Sequence, residues 1–212
     1  MPLSTRAAYC CVPGLYSPVE RRANLLRRLS RWYARAGRDL PWRKTTDPYA
    51  VLVAEVMLQQ TQVSRVLPAY AAFLARFPTL AVLARAPLGE VLRAWGSLGY
   101  PRRARDLHLA ARANPAALPE TRGELDTLPG IGPYTSGAVA CFAHGHDEAF
   151  ADVNVARVLG RIERGAAIPL REAEALDRRL LPQGGSAWWH HALMDLGAMV
   201  CTARAPRCEV CP

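Results

Sequence analysis

The chain has 212 residues, enough for one large domain or two small lobes. Half of the residues are apolar and 21% are charged, which excludes a disordered polyelectrolyte. Basic residues outnumber acidic ones 27 to 18, giving a net charge of +9, and 26 of the 27 are Arg.

Ser17-Pro18-Val19-Glu20 reads as a capping box with Pro at the first helical position. It opens a helix whose apolar positions are Leu25, Leu26, Leu29, Trp32 and Tyr33. Asp47-Pro48 opens a second helix running to about Gln60. Thr79 and Pro87 start two short helices, with Gly96 and Gly99 as stops. Residues 101–112 form a basic helix. Thr121 with Glu124 makes another capping box, before a short helix ending at Leu128. Pro133 begins a helix reaching about Ala143, and further helices are predicted over 154–164, 169–181 and 186–200. No run reads as a strand, so the class is all-α with short connections.

The longest apolar run, 50–58, is broken by Glu55, so no transmembrane helix is expected. The first sixteen residues lack the long apolar segment of a secretory signal. Of the six cysteines, Cys201, Cys208 and Cys211 crowd into the last twelve residues, with Cys10, Cys11 and Cys141 elsewhere. Such crowding points to metal ligation in a reducing, cytoplasmic compartment rather than to a disulfide scaffold. The spacing C-x6-C-x2-C lets three thiolates converge on one ion or cluster, without separating zinc from iron–sulfur. Four sulfurs are the usual complement, and Cys10 or Cys11 is a conceivable fourth.

Three further features carry chemistry. Leu128-Pro-Gly-Ile-Gly-Pro-Tyr-Thr135 places two glycines around one apolar residue between two helices. Glycine permits the turn and clears side chains from a close approach, Ile131 anchors the hairpin, and the second helix offers its N-terminal N–H groups. This helix–hairpin–helix pattern suits sequence-independent contact with a nucleic-acid backbone, as does the +9 charge. Arg102, Arg103, Arg105 and Arg157 are candidates for phosphate contact. Glu55 interrupts an apolar helix, where burial tends to raise a carboxyl pKa and so favours a general acid. Gln59 falls on the same helical face at i+4, next to Gln60. Asp152 precedes a helix and reads either as its N-cap, in competition with Asn154, or as a second functional carboxylate.

These segments, together with Pro41-Trp-Arg-Lys44, Glu55-Val-Met-Leu-Gln-Gln-Thr-Gln-Val63, Leu98-Gly-Tyr100, Asp152-Val-Asn154-Val-Ala-Arg157 and Met194-Asp-Leu-Gly-Ala-Met-Val-Cys201, resemble the helix–hairpin–helix DNA glycosylase superfamily. The Glu55-to-Val63 string resembles its MutY-type adenine DNA glycosylase branch. The resemblance runs from about Leu40 to the C-terminus. It implies a two-lobed all-α fold with the active site in the cleft between the lobes. Residues 41–146 would form a six-helix barrel lobe containing the hairpin over 121–143. Residues 1–40 and 147–212 would form a lobe carrying a [4Fe-4S] cluster on Cys201, Cys208 and Cys211. The family's motif adds a fourth Cys after five more residues, which this chain lacks. No counterpart of the C-terminal domain that reads 8-oxoguanine in most such proteins is expected.

The resemblance further implies a monomer acting on duplex DNA that holds adenine opposite 8-oxoguanine or guanine, in a bacterial-type, nucleoid-associated setting. Glu55 would protonate the flipped adenine, and Asp152 would stabilise the oxocarbenium-like sugar. Tyr134 and Asn154 match positions that organise this site. Gln59, Gln60 and Tyr100 match positions that probe the duplex, with Gly130, Gly132 and Thr135 at its backbone. Pro101 replaces a second Tyr found in many relatives. Endonuclease III-like relatives carry a catalytic Lys where Tyr134 stands, and Lys44 is the only Lys here, so the expected enzyme is monofunctional. The alternatives are a G·T mismatch thymine glycosylase of the same superfamily and a non-catalytic DNA-binding module.

Overall fold

The computed structural model describes residues 17–212, and Cys10 and Cys11 lie outside that range. Among the described residues every regular element is helical, as expected from the apolar spacing. No described helix is long and apolar enough to cross a membrane. The chain divides into two compact units. One comprises Asp39–His146, the other Asp147–Pro212 with the described residues up to Arg38.

In the second unit, α1 (Pro18–Ala36) begins with the predicted reciprocal box. Ser17 Oγ accepts from the Glu20 N–H at 3.3 Å, and the Glu20 carboxylate accepts from the Ser17 N–H at 2.8 Å. These bonds hold the Glu20 pKa below the usual carboxylate range. α9 (Val153–Arg164), α10 (Leu170–Leu180) and α11 (Ser186–Met199) complete the unit. α9 packs on α10 and α11, and α1 packs on α11. Leu29, Val155, Leu159, Leu176, Trp189 and Leu193 are the buried centre.

The first unit holds α2 (Pro48–Leu58), α3 (Val63–Arg76), α4 (Leu80–Arg85), α5 (Leu88–Trp95), α6 (Pro101–Ala113), α7 (Arg122–Leu125) and α8 (Pro133–His144). α2 is apolar on every side apart from Glu55, and every residue from Tyr49 to Met57 is buried. It packs chiefly against α8, whose Thr135 to Cys141 are buried too.

Local differences from the sequence expectations have physical causes. α2 stops at Leu58, two residues early, because Gln60 adopts a left-handed backbone (φ +55°). α3 has no predicted counterpart. It lacks a capping side chain and contains Pro68, and its one signal is the Val66, Tyr70, Phe73 spacing. α7 ends at Leu125, three residues early. Its Thr121 Oγ accepts from the Glu124 N–H, but the Glu124 carboxylate takes the Thr121 hydroxyl at 2.6 Å instead of closing the box.

The hairpin glycines are not equivalent. Gly130 has φ +73°, and a Cβ there would come within 2.6 Å of Asp106 Cβ. Gly132 has an ordinary backbone (φ −108°), and a Cβ there meets nothing within 4 Å. Gly130→Ala is therefore expected to lower the unfolding midpoint, at a cost of about 1–3 kcal/mol. Gly132→Ala is expected to leave the midpoint nearly unchanged and, on the sequence expectation that a nucleic-acid backbone approaches this hairpin, to weaken duplex binding. Thermal melts and titrations with labelled duplex read the two effects separately.

Candidate active site

Glu55 is only 6% exposed on α2. One residue past the helix end, Gln59 is the extended C-cap, so it does not continue the helical face on which the spacing places it. Its side-chain amide instead donates to Thr135 Oγ1 at 3.2 Å, joining the exit of α2 to the first turn of α8. Thr135 is buried, whereas its neighbour Tyr134 is half-buried. Ile131 is buried in the core, as its role of anchor requires. Ser136 Oγ bonds the Gly132 and Pro133 carbonyls, and Arg122 also donates to the Pro133 carbonyl.

Gln60 and Tyr100 are exposed, and they are the only non-glycine residues with positive φ among those described. A left-handed backbone on Gln and Tyr persists only where the surroundings enforce it. The enforcing group is Arg103. Its guanidinium donates to the carbonyls of Val56, Met57, Gln59 and Leu98 and to Thr61 Oγ1, and it lies 5.2 Å from the Tyr100 ring centroid. Burial pulls the Arg103 pKa below the usual guanidinium value, the Tyr100 side chain opposing. Arg103 thus ties the α2 exit and the Leu98–Tyr100 turn together. It is not a phosphate contact, because its donors face carbonyls that the helix end leaves unsatisfied.

Arg157 is corrected in the same way. It donates to the carbonyls of Cys201 (2.7 Å) and Gly197 (2.8 Å) and to Asn154 Oδ1 (2.7 Å). Arg102 and Arg105 both pair with Asp106 and are well exposed, so they keep surface for an anion.

Asp152, and not Asn154, caps the helix that follows. It is the N-cap of α9, and Asn154 lies inside the helix. Oδ1 accepts from the Asn154 and Val155 N–H groups, and Oδ2 accepts from the Asn154 side-chain amide, all at 2.8 Å. With Arg157 on its oxygen, Asn154 is locked with its amide toward Asp152. Gly197 is required for this packing, since a Cβ there would sit 2.8 Å from Asn154 Cβ. A capping role excludes no other: three donors fix the orientation of a carboxylate that remains partly exposed at a helix N-terminus.

Cys201 follows α11, and Cys208 and Cys211 flank a single short turn. Cys201 Sγ accepts from Arg161 at 3.4 Å. Among the described residues no group of three or more His, Cys, Asp or Glu side chains is placed to hold a metal ion. The described residues as placed do not fit the cluster that the spacing and the resemblance imply.

Residues that sequence reasoning passed over include Asp177 and His190, both fully buried. Asp177 follows Ala173 and Leu176 on the apolar stripe of α10, and a polar residue on such a stripe was the available signal.

Residues 53–183 match the model of the HhH-GPD superfamily base excision DNA repair protein. The chain is 46% identical over 204 residues to an adenine DNA glycosylase of Mycolicibacterium smegmatis, covering 92% of this chain and 67% of that protein. It is 46% identical over 193 residues to one of Mycobacterium tuberculosis, of which it spans 63%, and 40% identical to the human enzyme, of which it spans 36%. Among solved structures it is similar to a thermostable thymine-DNA glycosylase, with 29% identity and a TM-score of 0.82 over 91% of this chain and 93% of that one. A non-covalent endonuclease III–DNA complex shares the fold, with 22% identity and a TM-score of 0.77 over 93% of this chain and 94% of that one. The helical hairpin, the buried Glu55 and the capped Asp152 stand within that match, and the chain belongs to the HhH-GPD superfamily of base excision DNA repair proteins.

Proposed function

We propose that the protein is a monofunctional adenine DNA glycosylase, hydrolysing the N-glycosidic bond of adenine opposite 8-oxoguanine or guanine in duplex DNA. The observation that carries the choice of base is the 46% identity to adenine DNA glycosylases. The thymine-DNA glycosylase likeness, at 29% identity, supports a G·T mismatch enzyme as the second reading. The two are separated by incubating the protein with A·8-oxoG, A·G, G·T and uracil duplexes, then cleaving abasic sites with alkali. Product from the adenine duplexes supports the proposal, and product only from G·T overturns it.

In the proposed reaction the adenine first leaves the stack, because its glycosidic bond is unreachable inside the duplex. Glu55 gives its proton to N7 of the leaving base. Its buried place on α2 keeps bulk water from competing for that proton. As the C1′–N9 bond breaks, positive charge grows on the sugar, and the Asp152 carboxylate stabilises it. Water then adds to C1′, and its proton goes to the Glu55 carboxylate left by the first step, which restores the acid. Tyr134 and Asn154 organise the site, the latter by holding the Asp152 oxygen. Gln60 and Tyr100, exposed on enforced backbones, probe the duplex beside the extruded base. Gln59, Thr135, Gly130 and Gly132 shape the contact to its backbone.

No step uses an amine. Lys44 is paired with Asp39 at 2.6 Å, and a tyrosine cannot form a Schiff base. Borohydride added during turnover on an A·8-oxoG duplex is expected to trap no covalent complex, as read on a denaturing gel. A trap in good yield would overturn the monofunctional assignment.

A further inference from the structure

Asp152 is held on its downstream side by α9, but its position also depends on the segment that leads into it. Ala149, Phe150 and Ala151 are all buried, and the polar groups around them form a closed network. The Phe150 N–H donates to Asp177 Oδ2 at 3.1 Å. The Phe150 ring stacks on His190, with centroids 3.8 Å apart and planes 12° from parallel. Ser186 Oγ donates to the Glu148 carbonyl at 2.9 Å. Trp189 Nε1 donates to Asp177 Oδ1 at 2.6 Å, and His190 Nε2 stands 2.8 Å from Asp177 Oδ2.

The chemistry of this network is constrained. His190 Nδ1 lies 2.8 Å from the Ser186 carbonyl and 3.2 Å from Ser186 Oγ. Nε2 faces a carboxylate oxygen 2.8 Å away, to which a ring N–H can donate. Both side chains are fully buried, so these partners stand in for water around the carboxylate. Three donors surround the carboxylate, each with a place on one of its two oxygens.

Such a network holds a backbone segment in one register more firmly than apolar packing does, because any shift leaves a buried donor unpaired. We propose that Asp177 and His190 are positioning residues for base removal: they clamp Glu148–Phe150 and so set where Asp152 stands two residues on. This inference rests on the reading of Asp152 as the residue that stabilises the sugar. Neither group touches the substrate.

The test compares Asp177→Asn with Leu193→Ala, which opens the same unit's core and removes none of the clamp's hydrogen bonds. Asparagine keeps one acceptor oxygen and turns an NH2 group toward either Trp189 or Phe150, so one buried N–H loses its partner. Base release from an A·8-oxoG duplex is expected to fall about tenfold to a hundredfold per folded molecule in single turnover, with duplex affinity changed less than about twofold. Leu193→Ala is expected to lower stability without lowering that rate. Amide hydrogen exchange reads the clamp independently of turnover: Phe150, Asn154 and Val155 are expected to exchange faster in Asp177→Asn than in Leu193→Ala. Should Asp177→Asn not fold, His190→Gln replaces it, since its amide still reaches for Asp177 but cannot stack on Phe150. A wild-type rate with unchanged exchange overturns the proposal, and so does an equal loss of rate in Leu193→Ala. Failure of the underlying reading shows differently, as unaltered base release in Asp152→Asn.

Discussion

Asp152→Asn is expected to abolish base release while leaving the fold and duplex affinity intact. The variant separates the two roles that one side chain combines. Asparagine caps a helix about as well as aspartate. Its Oδ1 can keep the Asn154 and Val155 N–H bonds that Asp152 makes at 2.8 Å. What is lost is the negative charge and the bond from the Asn154 side-chain amide, which would meet another NH2 group. If the charge is what stabilises the developing sugar cation, the single-turnover rate should drop by about a thousandfold or more, roughly 4 kcal/mol of transition-state stabilisation. Thermal unfolding should move little, whereas Asp152→Ala should cost about 1 kcal/mol through the missing cap. Turnover near the unsubstituted rate would confine Asp152 to capping.

Glu55→Gln is expected to have the next largest effect. Glutamine matches glutamate in size and keeps hydrogen-bonding capacity, but it has no proton to give. Every residue from Tyr49 to Met57 is buried, so a smaller or larger side chain at position 55 would mix a packing defect with a chemical one. The near-isosteric change isolates the acid. Loss of a positioned general acid is worth about a hundredfold to ten-thousandfold in rate. The measurement is single-turnover adenine release, with the folded fraction checked by circular dichroism. A folded variant of undiminished rate would assign Glu55 to structure.

Both carboxylates were visible in the chain before any coordinates. Glu55 stood out as a charge within an apolar run, and Asp152 as a carboxylate ahead of a helix. Helix starts were legible where a side chain makes the cap: Ser17, Asp47, Thr79 and Thr121 each bond a first-turn N–H. The missed α3 shows the complement. With no capping bond and Pro68 inside, its helicity comes from burying Val66, Tyr70 and Phe73 against neighbours distant in sequence.

The arginines mark the boundary most sharply. A net charge of +9 carried almost wholly by Arg is a sequence property, and it favours a polyanionic partner. Which arginines remain for that partner is not written in the charge count. Arg103 and Arg157 stand in motif segments exactly like surface candidates would, yet their guanidiniums are consumed by backbone carbonyls. Arg22 and Arg161 likewise cap carbonyls, at Leu180 and Thr202. Helix ends expose carbonyls, and a five-donor fork satisfies several at once. The pairing depends on which helix end lies beside which arginine, a property of packing and not of spacing.

The sequence by itself determined the helical class, the hairpin, the two carboxylates and the absence of a lysine where Tyr134 stands, because these rest on local periodicity and residue identity. Tertiary structure alone decided that Gln59 turns to Thr135, that Gln60 and Tyr100 are held left-handed, and that Asp177 and His190 meet behind Phe150. Each of these is a contact between segments far apart in the chain, and hydrogen-bond satisfaction in a buried place is a condition that only the assembled neighbours can impose.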